Sequence, residues 1–267
     1  MTRRVHSGLS ENVRYTVYAV AVVAIVIAGL VYANLSTRKP VLDADGCPSH
    51  VTNNTVIVLD ESEVISEQTR SEITARALHH VLEVAQVNER VTVFRIDDFS
   101  SKALKPAYSR CRPPSDGSEL TESVQSIRRK FKEEFAKPLA KVMDQKPVDG
   151  KVSPIAQALI DISLSQYLRG ERNSLLVYSD FLEHTPPKFS ILHCSDPNAV
   201  ISHFRDAHRG AQERPSFKNA AIEMSIIPRT YLSKTEIECR NKLWTWFFGD
   251  NEGEGASLTP TYLPGGT

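Results

Sequence analysis

Residues 55–64 read Thr55-Val-Ile-Val-Leu-Asp60-Glu-Ser62-Glu-Val64, a short apolar and β-branched run that ends in an acidic residue. Such a run is typical of a strand that is covered on both faces of a sheet. The same pattern recurs at 90–98 and at 173–180, where the runs end in Asp97-Asp98 and Asp180. Segments with helical spacing of apolar residues separate these runs. The sequence therefore predicts an α/β fold with a central, mostly parallel sheet flanked by helices.

The other elements follow from capping and turn signals. Ser233 and Glu236 form a capping box at the start of a final helix, and Pro138 should kink or split a long helix over 120–145. Residues 104–110 suit an edge strand, because Pro106 is tolerated best there. Further helices are predicted after Ser66, at 153–168, 198–208 and 234–248, with a last strand at 220–227. The predicted domain spans 54–248, preceded by a linker at 36–53 and followed by a Gly/Pro/Thr-rich tail at 249–267 that we expect to be disordered.

An uncharged apolar segment precedes this domain. Residues 15–35 carry no charge, and a helix of this length would extend about 31 Å, enough to cross a bilayer core of about 30 Å. Residues 1–14 contain three arginines, whereas only Arg38 and Lys39 follow closely. This bias predicts a single transmembrane helix with a cytoplasmic leader and a periplasmic or extracellular domain. A cleaved signal peptide stays open, since Val31-Tyr32-Ala33 is an acceptable cleavage pattern.

Composition narrows the function classes. Lys plus Arg and Asp plus Glu each number 32, so the formal net charge is zero. A nucleic-acid partner is therefore not expected, because phosphate neutralisation requires an excess of basic residues. The chain also has no CxxC pair, P-loop, GxGxxG or GxSxG pattern. No catalytic constellation is recognisable, and we expect the protein not to be an enzyme.

The acidic residues at the strand ends form a candidate site. In open α/β sheets, ligands bind beyond the carboxyl ends of the strands. Asp60, Asp97 or Asp98, and Asp180 would all lie at that edge. A structural interpretation also stays open for them, because Asp60 and Asp180 could cap their own loops.

Three loops of this chain resemble those of the von Willebrand factor type A (vWA) domain. Asp60-Glu-Ser62-Glu-Val64 looks like the first loop, Lys151-Val-Ser153-Pro154-Ile155 the second, and Leu176-Val-Tyr-Ser-Asp180 the third. The resemblance covers residues 54–248 in order and spacing, and it implies a Rossmann-like sheet.

The resemblance also implies a divalent-cation site, holding Mg²⁺ or Mn²⁺ through Asp60, Ser62, Ser153 and Asp180. Two positions depart from the family pattern. Ser153 replaces the usual Thr but keeps a hydroxyl, whereas Val64 replaces a second Ser and offers no oxygen. The site is thus expected to be partly degenerate, and Val64→Ser should strengthen it. Ser153 as an ordinary helix N-cap remains an alternative.

The function that the resemblance implies is a membrane-tethered module that binds another protein at this edge. Two alternatives stay open: a structural subunit of a membrane complex with a degenerate site, and a metal-dependent hydrolase that uses Asp60, Asp180 and Asp97 or Asp98. The hydrolase is disfavoured because no nucleophile or general base accompanies these acids.

The cysteines bear on the compartment. Cys47 precedes the first strand, and Cys111 follows an edge strand that would return to the same end of the sheet. We therefore expect a Cys47–Cys111 disulfide and an oxidising compartment. Cys194 and Cys239 are either a second pair or free thiols.

Overall fold

The computed structural model describes residues 11–36, 41–60, 62–96, 104–116, 123–145, 150–209, 214–217, 220–249 and 257–264. The chain divides into two compact units, residues 1–41 and 42–267.

Within the N-terminal unit, residues 11–36 form helix α1 (Glu11–Ser36). Its segment Tyr15–Tyr32 is long and apolar enough to cross a membrane, and none of that segment is buried. A signal sequence near an N-terminus has the same length and composition, so the helix is consistent with both interpretations. Arg3, Arg4, Arg38 and Lys39, on which the predicted orientation depends, lie outside the described residues.

The second unit is built on a sheet of six strands: β1 (Asn53–Asp60), β2 (Arg90–Ile96), β3 (Tyr108–Cys111), β4 (Arg172–Ser179), β7 (Ala220–Ile226) and β8 (Ser257–Tyr262). Their order in the sheet is β3-β2-β1-β4-β7-β8. All neighbouring strands are parallel except β2 and β3, which are antiparallel. Numbered within this sheet alone, the order is the 3-2-1-4-5-6 of doubly wound folds, whose switch point lies between the first and fourth strands. The predicted α/β fold is confirmed.

Helices cover both faces of this sheet. Alternate residues of β1 point to opposite faces: Val56 and Val58 enter one apolar core, and Ile57 and Leu59 enter the other. The first core is closed by α5 (Ile155–Leu164), α6 (Val200–Ala207) and α7 (Lys234–Phe248). The second is closed by α2 (Glu67–His79), α4 (Lys137–Met143) and the helical turns beside them, whereas α3 (Val124–Lys130) has no buried residue. A small antiparallel hairpin, β5 (His184–Thr185) and β6 (Phe189–Ser190), follows β4 in the chain.

Two local predictions are confirmed. Ser233 and Glu236 form the predicted capping box at the start of α7. The long helix is interrupted near Pro138, because a π-helical segment, Phe131–Ala136, separates α3 from α4. Proline has no N–H to donate, so a break in the hydrogen-bond ladder at this place is expected.

The tail prediction is wrong for part of 249–267. Ser257–Tyr262 form β8, which pairs in parallel with β7, and Leu263 is buried in the second core. The physical reason is the open edge of β7, which offers backbone partners to a segment whose Thr259, Thr261 and Tyr262 favour extended structure. Residues 250–256 and 265–267 lie outside the described residues.

Both cysteine pairs are bonded. The Cys47–Cys111 disulfide is confirmed, and Cys194 is bonded to Cys239, which resolves the alternative that the sequence left open. The second disulfide joins the loop before α6 to α7.

Candidate functional site

Asp60 lies at the centre of a buried polar cluster at the carboxyl edge. Its Oδ1 accepts hydrogen bonds from the Ser62 hydroxyl (2.7 Å) and backbone N–H (3.2 Å). Its Oδ2 accepts from the hydroxyls of Ser179 (2.6 Å) and Ser153 (3.5 Å). The structure thus brings together three of the four predicted residues, Asp60, Ser62 and Ser153, and adds Ser179.

The fold positions each member of this cluster. Asp60 ends β1 and Ser179 ends β4, and these strands are neighbours at the switch point of the sheet. Ser153 lies on a third loop, which precedes α5. Its backbone exchanges hydrogen bonds with that of His184 at 2.7 and 3.0 Å, and these bonds hold it in place. The cluster therefore ties together the loops after β1, after β4 and before α5.

Ser153 does not cap α5. The N-cap of that helix is Pro154, which makes no side-chain cap. Instead, the backbone N–H of Ala156 donates to the carboxylate of Glu183 at 2.8 Å. The alternative interpretation of Ser153 as an N-cap is therefore wrong, and its hydroxyl remains in the Asp60 cluster.

Asp180, the fourth predicted residue, is held by an arginine. Its Oδ2 lies 2.8 Å from Nε of Arg229, and both side chains are only 3% exposed. Its Oδ1 accepts from the backbone N–H of Leu182 at 3.0 Å. Arg229 also donates from Nη1 to the carbonyl oxygen of Val64 at 2.7 Å. Asp180 is therefore engaged in an ion pair next to the Asp60 cluster.

The rim of the site carries apolar and aromatic surface. Val64 is 60% exposed and Tyr231 is 55% exposed. Tyr231 donates from its hydroxyl to Glu63 Oε2 at 2.8 Å, and the same oxygen lies 3.5 Å from Nε of Arg229. The exposed rim and the buried cluster are thus connected through Glu63 and Arg229.

Sequence reasoning missed Ser179, Glu183 and Arg229. Ser179 directly precedes Asp180, and Arg229 follows the last apolar strand of the alternating pattern by a few residues. The rule that selected Asp60, a polar residue at the end of a buried strand, would have found Ser179 had it been applied to hydroxyls, but it does not distinguish Arg229 from a solvated arginine. Nothing in the local sequence marks Glu183 as the partner of a distant helix.

Burial dominates the electrostatics of the site. It raises the pKa of Asp60, against the hydrogen bonds from Ser179 and Ser62. It also raises the pKa of Asp180 to about 7; Asp60 adds to that rise, and Arg229 opposes it. For Glu183, burial raises the pKa to about 8, against hydrogen bonds from the Ala156 and Ile155 backbone. The edge therefore holds its acidic groups in an environment that disfavours unpaired negative charge.

The donor set does not fit the divalent cation that the vWA resemblance implies. Asp60, Ser62 and Ser153 could offer oxygens, but a guanidinium engages the carboxylate of Asp180. Val64 has no side-chain oxygen and is largely exposed. Among the described residues, no group of three or more His, Cys, Asp or Glu side chains is placed to hold a metal ion. Asp97 and Asp98 lie outside the described residues.

Comparisons with known proteins find similarity in structure and none in sequence. No protein-family profile matches the chain, and no curated protein matches it in sequence. Among solved structures, the chain is similar to the human COPII-coat protein Sec24c (9% identity, TM-score 0.34) and to the SpRpn10 VWA domain (12% identity, TM-score 0.33). The matches cover 79% and 81% of this chain, and 29% and 91% of those chains, respectively. The chain thus matches less than a third of the length of Sec24c.

The Rossmann-like, mostly parallel sheet that the resemblance implies is confirmed by the strand order and strand directions of the structure. In the structure, the strand order places the ends of β1 and β4 side by side, with Asp60 and Asp180 following them at one edge.

Proposed function

We propose that this protein is a membrane-tethered protein-binding module that uses the carboxyl edge of its sheet. The observation that carries the proposal is the exposure of Val64 and Tyr231 directly above the buried cluster. Tyrosine is enriched at the centres of protein interfaces, where it contributes a large contact area and a polar tip. We name the surface formed by Glu63, Val64 and Tyr231 the rim patch.

The rim patch is supported by a rigid base, which favours binding. Tyr231 is held by its bond to Glu63, and the carbonyl of Val64 is held by Arg229. A surface that is ordered before binding loses less conformational entropy on association. The base therefore preorganises two exposed side chains for a partner.

The buried polar groups favour binding over catalysis. The carboxylate of Asp60 is hydrogen-bonded by serine hydroxyls, and that of Asp180 is paired with Arg229. A hydrolase needs a nucleophile or base directed at its substrate. These two acids are instead directed at partners within the domain, and we propose that the protein is not an enzyme.

The tether is proposed from the helix and the disulfides. Helix α1 supports an anchor at residues 15–35, and two disulfides support an oxidising compartment for the domain. We therefore place the domain on the periplasmic or extracellular face, with the N-terminus inside. The balanced charge of the chain supports a protein rather than a nucleic acid as the partner.

Site-specific photo-crosslinking in native membranes tests this function. A photoreactive residue at position 64 should crosslink to a partner protein, and Tyr231→Ala should weaken that crosslink. Val87, which is 46% exposed in the loop before β2 at the opposite edge, is the matched control. Equal crosslinking from positions 64 and 87 would contradict the rim patch as the binding surface.

A structural subunit of a membrane complex is the second candidate. The carboxyl edge fits a cation poorly, and this favours the structural subunit, because such a subunit needs no ligand at the edge. The two candidates differ in whether the bound protein can be replaced. A permanent subunit stays with its partner through purification, whereas a binding module is displaced from its partner by added free domain.

A further inference from the structure

We propose that the guanidinium of Arg229 takes the place of a divalent cation at the carboxyl edge and holds its loops together without a metal ion. Arg229 would hold the loops of this edge together whether or not the rim patch binds a partner.

Arg229 joins two of the three loops that a cation at this edge would join, those after β1 and after β4. Its Nε contacts Asp180 after β4 at 2.8 Å, and its Nη1 contacts the Val64 carbonyl after β1 at 2.7 Å. Arg229 itself follows β7, two strands away from β1 in the sheet. One side chain thus crosslinks the loops that follow three parallel strands.

Charge explains why the arginine and a cation exclude each other. A guanidinium stays protonated at any pH at which the domain would fold, and this one is only 3% exposed. A buried carboxylate needs a positive partner, and Asp180 already has one. A divalent ion bound beside it would face an unscreened positive charge, so its affinity should be low.

A second departure lies in the same loop. Val64 stands where the resemblance expects a hydroxyl ligand, and its side chain is 60% exposed. Its backbone carbonyl, in contrast, accepts a hydrogen bond from Arg229. The loop after β1 has therefore lost a cation ligand and gained a contact to the guanidinium, as expected if one replaces the other.

Two substitutions at Arg229 separate this role from that of an ordinary buried ion pair. Arg229→Ala removes the charge and leaves space that a hydrated cation could enter, since Mg²⁺ retains several of its waters. Arg229→Met removes the same charge but fills most of the space. Both variants should unfold about 10 °C below the wild type, because Asp180 is left buried without a partner.

Thermal unfolding of the full-length protein in detergent micelles, followed by tryptophan fluorescence, provides the measurement. In EDTA, in millimolar Mg²⁺ and in millimolar Mn²⁺, the wild type should have the same Tm. Mg²⁺ or Mn²⁺ should restore part of the loss in Arg229→Ala but not in Arg229→Met, and KCl at equal ionic strength should restore neither.

Two results would overturn the proposal. A saturable rise in the wild-type Tm with Mg²⁺ or Mn²⁺ would show that a cation binds beside Arg229. If the cations raise the Tm of Arg229→Ala and Arg229→Met equally, or raise neither, Arg229 forms only an ordinary ion pair with Asp180. If Arg229→Ala does not fold, calorimetric titration of the wild type with Mn²⁺ decides: no binding supports the proposal, and saturable binding overturns it.

Discussion

The carboxylate of Glu183 accepts a hydrogen bond from the backbone N–H of Ala156 at 2.8 Å and thereby caps helix α5 from a different loop. Pro154 at the N-cap makes no side-chain cap, so the first N–H groups of the helix depend on this carboxylate. Glu183 is fully buried, and its Oε1 has no hydrogen-bond partner among the described residues. The loop after β4 is thus fastened to α5 by an acid in an environment that disfavours its charge.

Glu183→Gln should flatten the dependence of stability on pH. Burial raises the pKa of Glu183 to about 8, from a value of 4.5 for an unperturbed glutamate. Between these values the unfolded chain ionises this carboxyl and the folded domain keeps it protonated. The group therefore stabilises the fold at low pH, and its contribution falls by up to about 1.4 kcal/mol per pH unit as pH rises through this window.

Urea unfolding at several pH values between 4.5 and 8 measures this effect. The difference in unfolding free energy between Glu183→Gln and the wild type should shift in favour of the variant as pH rises. Asp60 lies near enough to raise the same pKa, so the comparison is repeated in an Asp60→Asn background. Glu171→Gln, at an exposed position, controls for the loss of one acidic residue. A pH-independent difference between Glu183→Gln and wild type would contradict the prediction.

Leu263→Ala should destabilise the domain, whereas Tyr262→Ala should not. Leu263 is 3% exposed and packs into the second core, while its neighbour Tyr262 is 58% exposed. Truncating a buried leucine costs about 2–5 kcal/mol, and an exposed substitution typically stays within about 0.5 kcal/mol. Denaturant unfolding of the two variants provides the comparison. Equal stabilities would mean that the segment after β8 does not belong to the folded core.

The fold was predictable where buried residues leave a recognisable apolar pattern in the sequence, and it was not predictable where strand pairing alone decides. The apolar runs ending at Asp60 and Asp180 are buried on both faces, so their composition reports the parallel sheet directly. Strand β8 is an edge strand that contains Pro260, and its short polar sequence carries no such signal. Its position depends on the open edge of β7, which is a property of the tertiary structure.

The sequence placed Asp60, Ser62 and Ser153 at one site, but it did not reveal the positive charge of Arg229 beside them. Asp60, Ser62 and Ser153 follow from the order of the three loops, whatever their partners are. The pairing of Asp180 with Arg229 depends on two segments 49 residues apart that meet only in the folded sheet. An arginine after a strand has no spacing pattern that distinguishes it from a solvated surface residue.

Replacing Cys47 and Cys111 with serine should lower the stability of the domain markedly. The bond closes a loop of 64 residues, which corresponds to about 4 kcal/mol in the chain-entropy description. For a domain of this size, a loss of that order lowers the Tm by about 8–16 °C. Calorimetry of the double variant measures the change, and the Cys194→Ser/Cys239→Ser pair, whose loop is 45 residues, should show a similar loss. A Tm equal to that of the wild type would contradict the prediction.

Val87→Cys should react with a membrane-impermeant maleimide in intact cells, because we place the domain on the outer face of the membrane. The four native cysteines are bonded in two disulfides, so the introduced thiol at this exposed position is the one that the reagent can modify. Cys47 is fully buried and would stay unreactive even if reduced, so labelling of this native cysteine does not report the compartment. The native chain is the control and should remain unlabelled. When the native chain is denatured in SDS without reductant and treated with an alkylating reagent, its cysteines should also remain unmodified. Labelling of Val87→Cys only after the cells are permeabilised, together with four alkylated native thiols, would place the domain in the reducing cytoplasm and contradict the proposed topology.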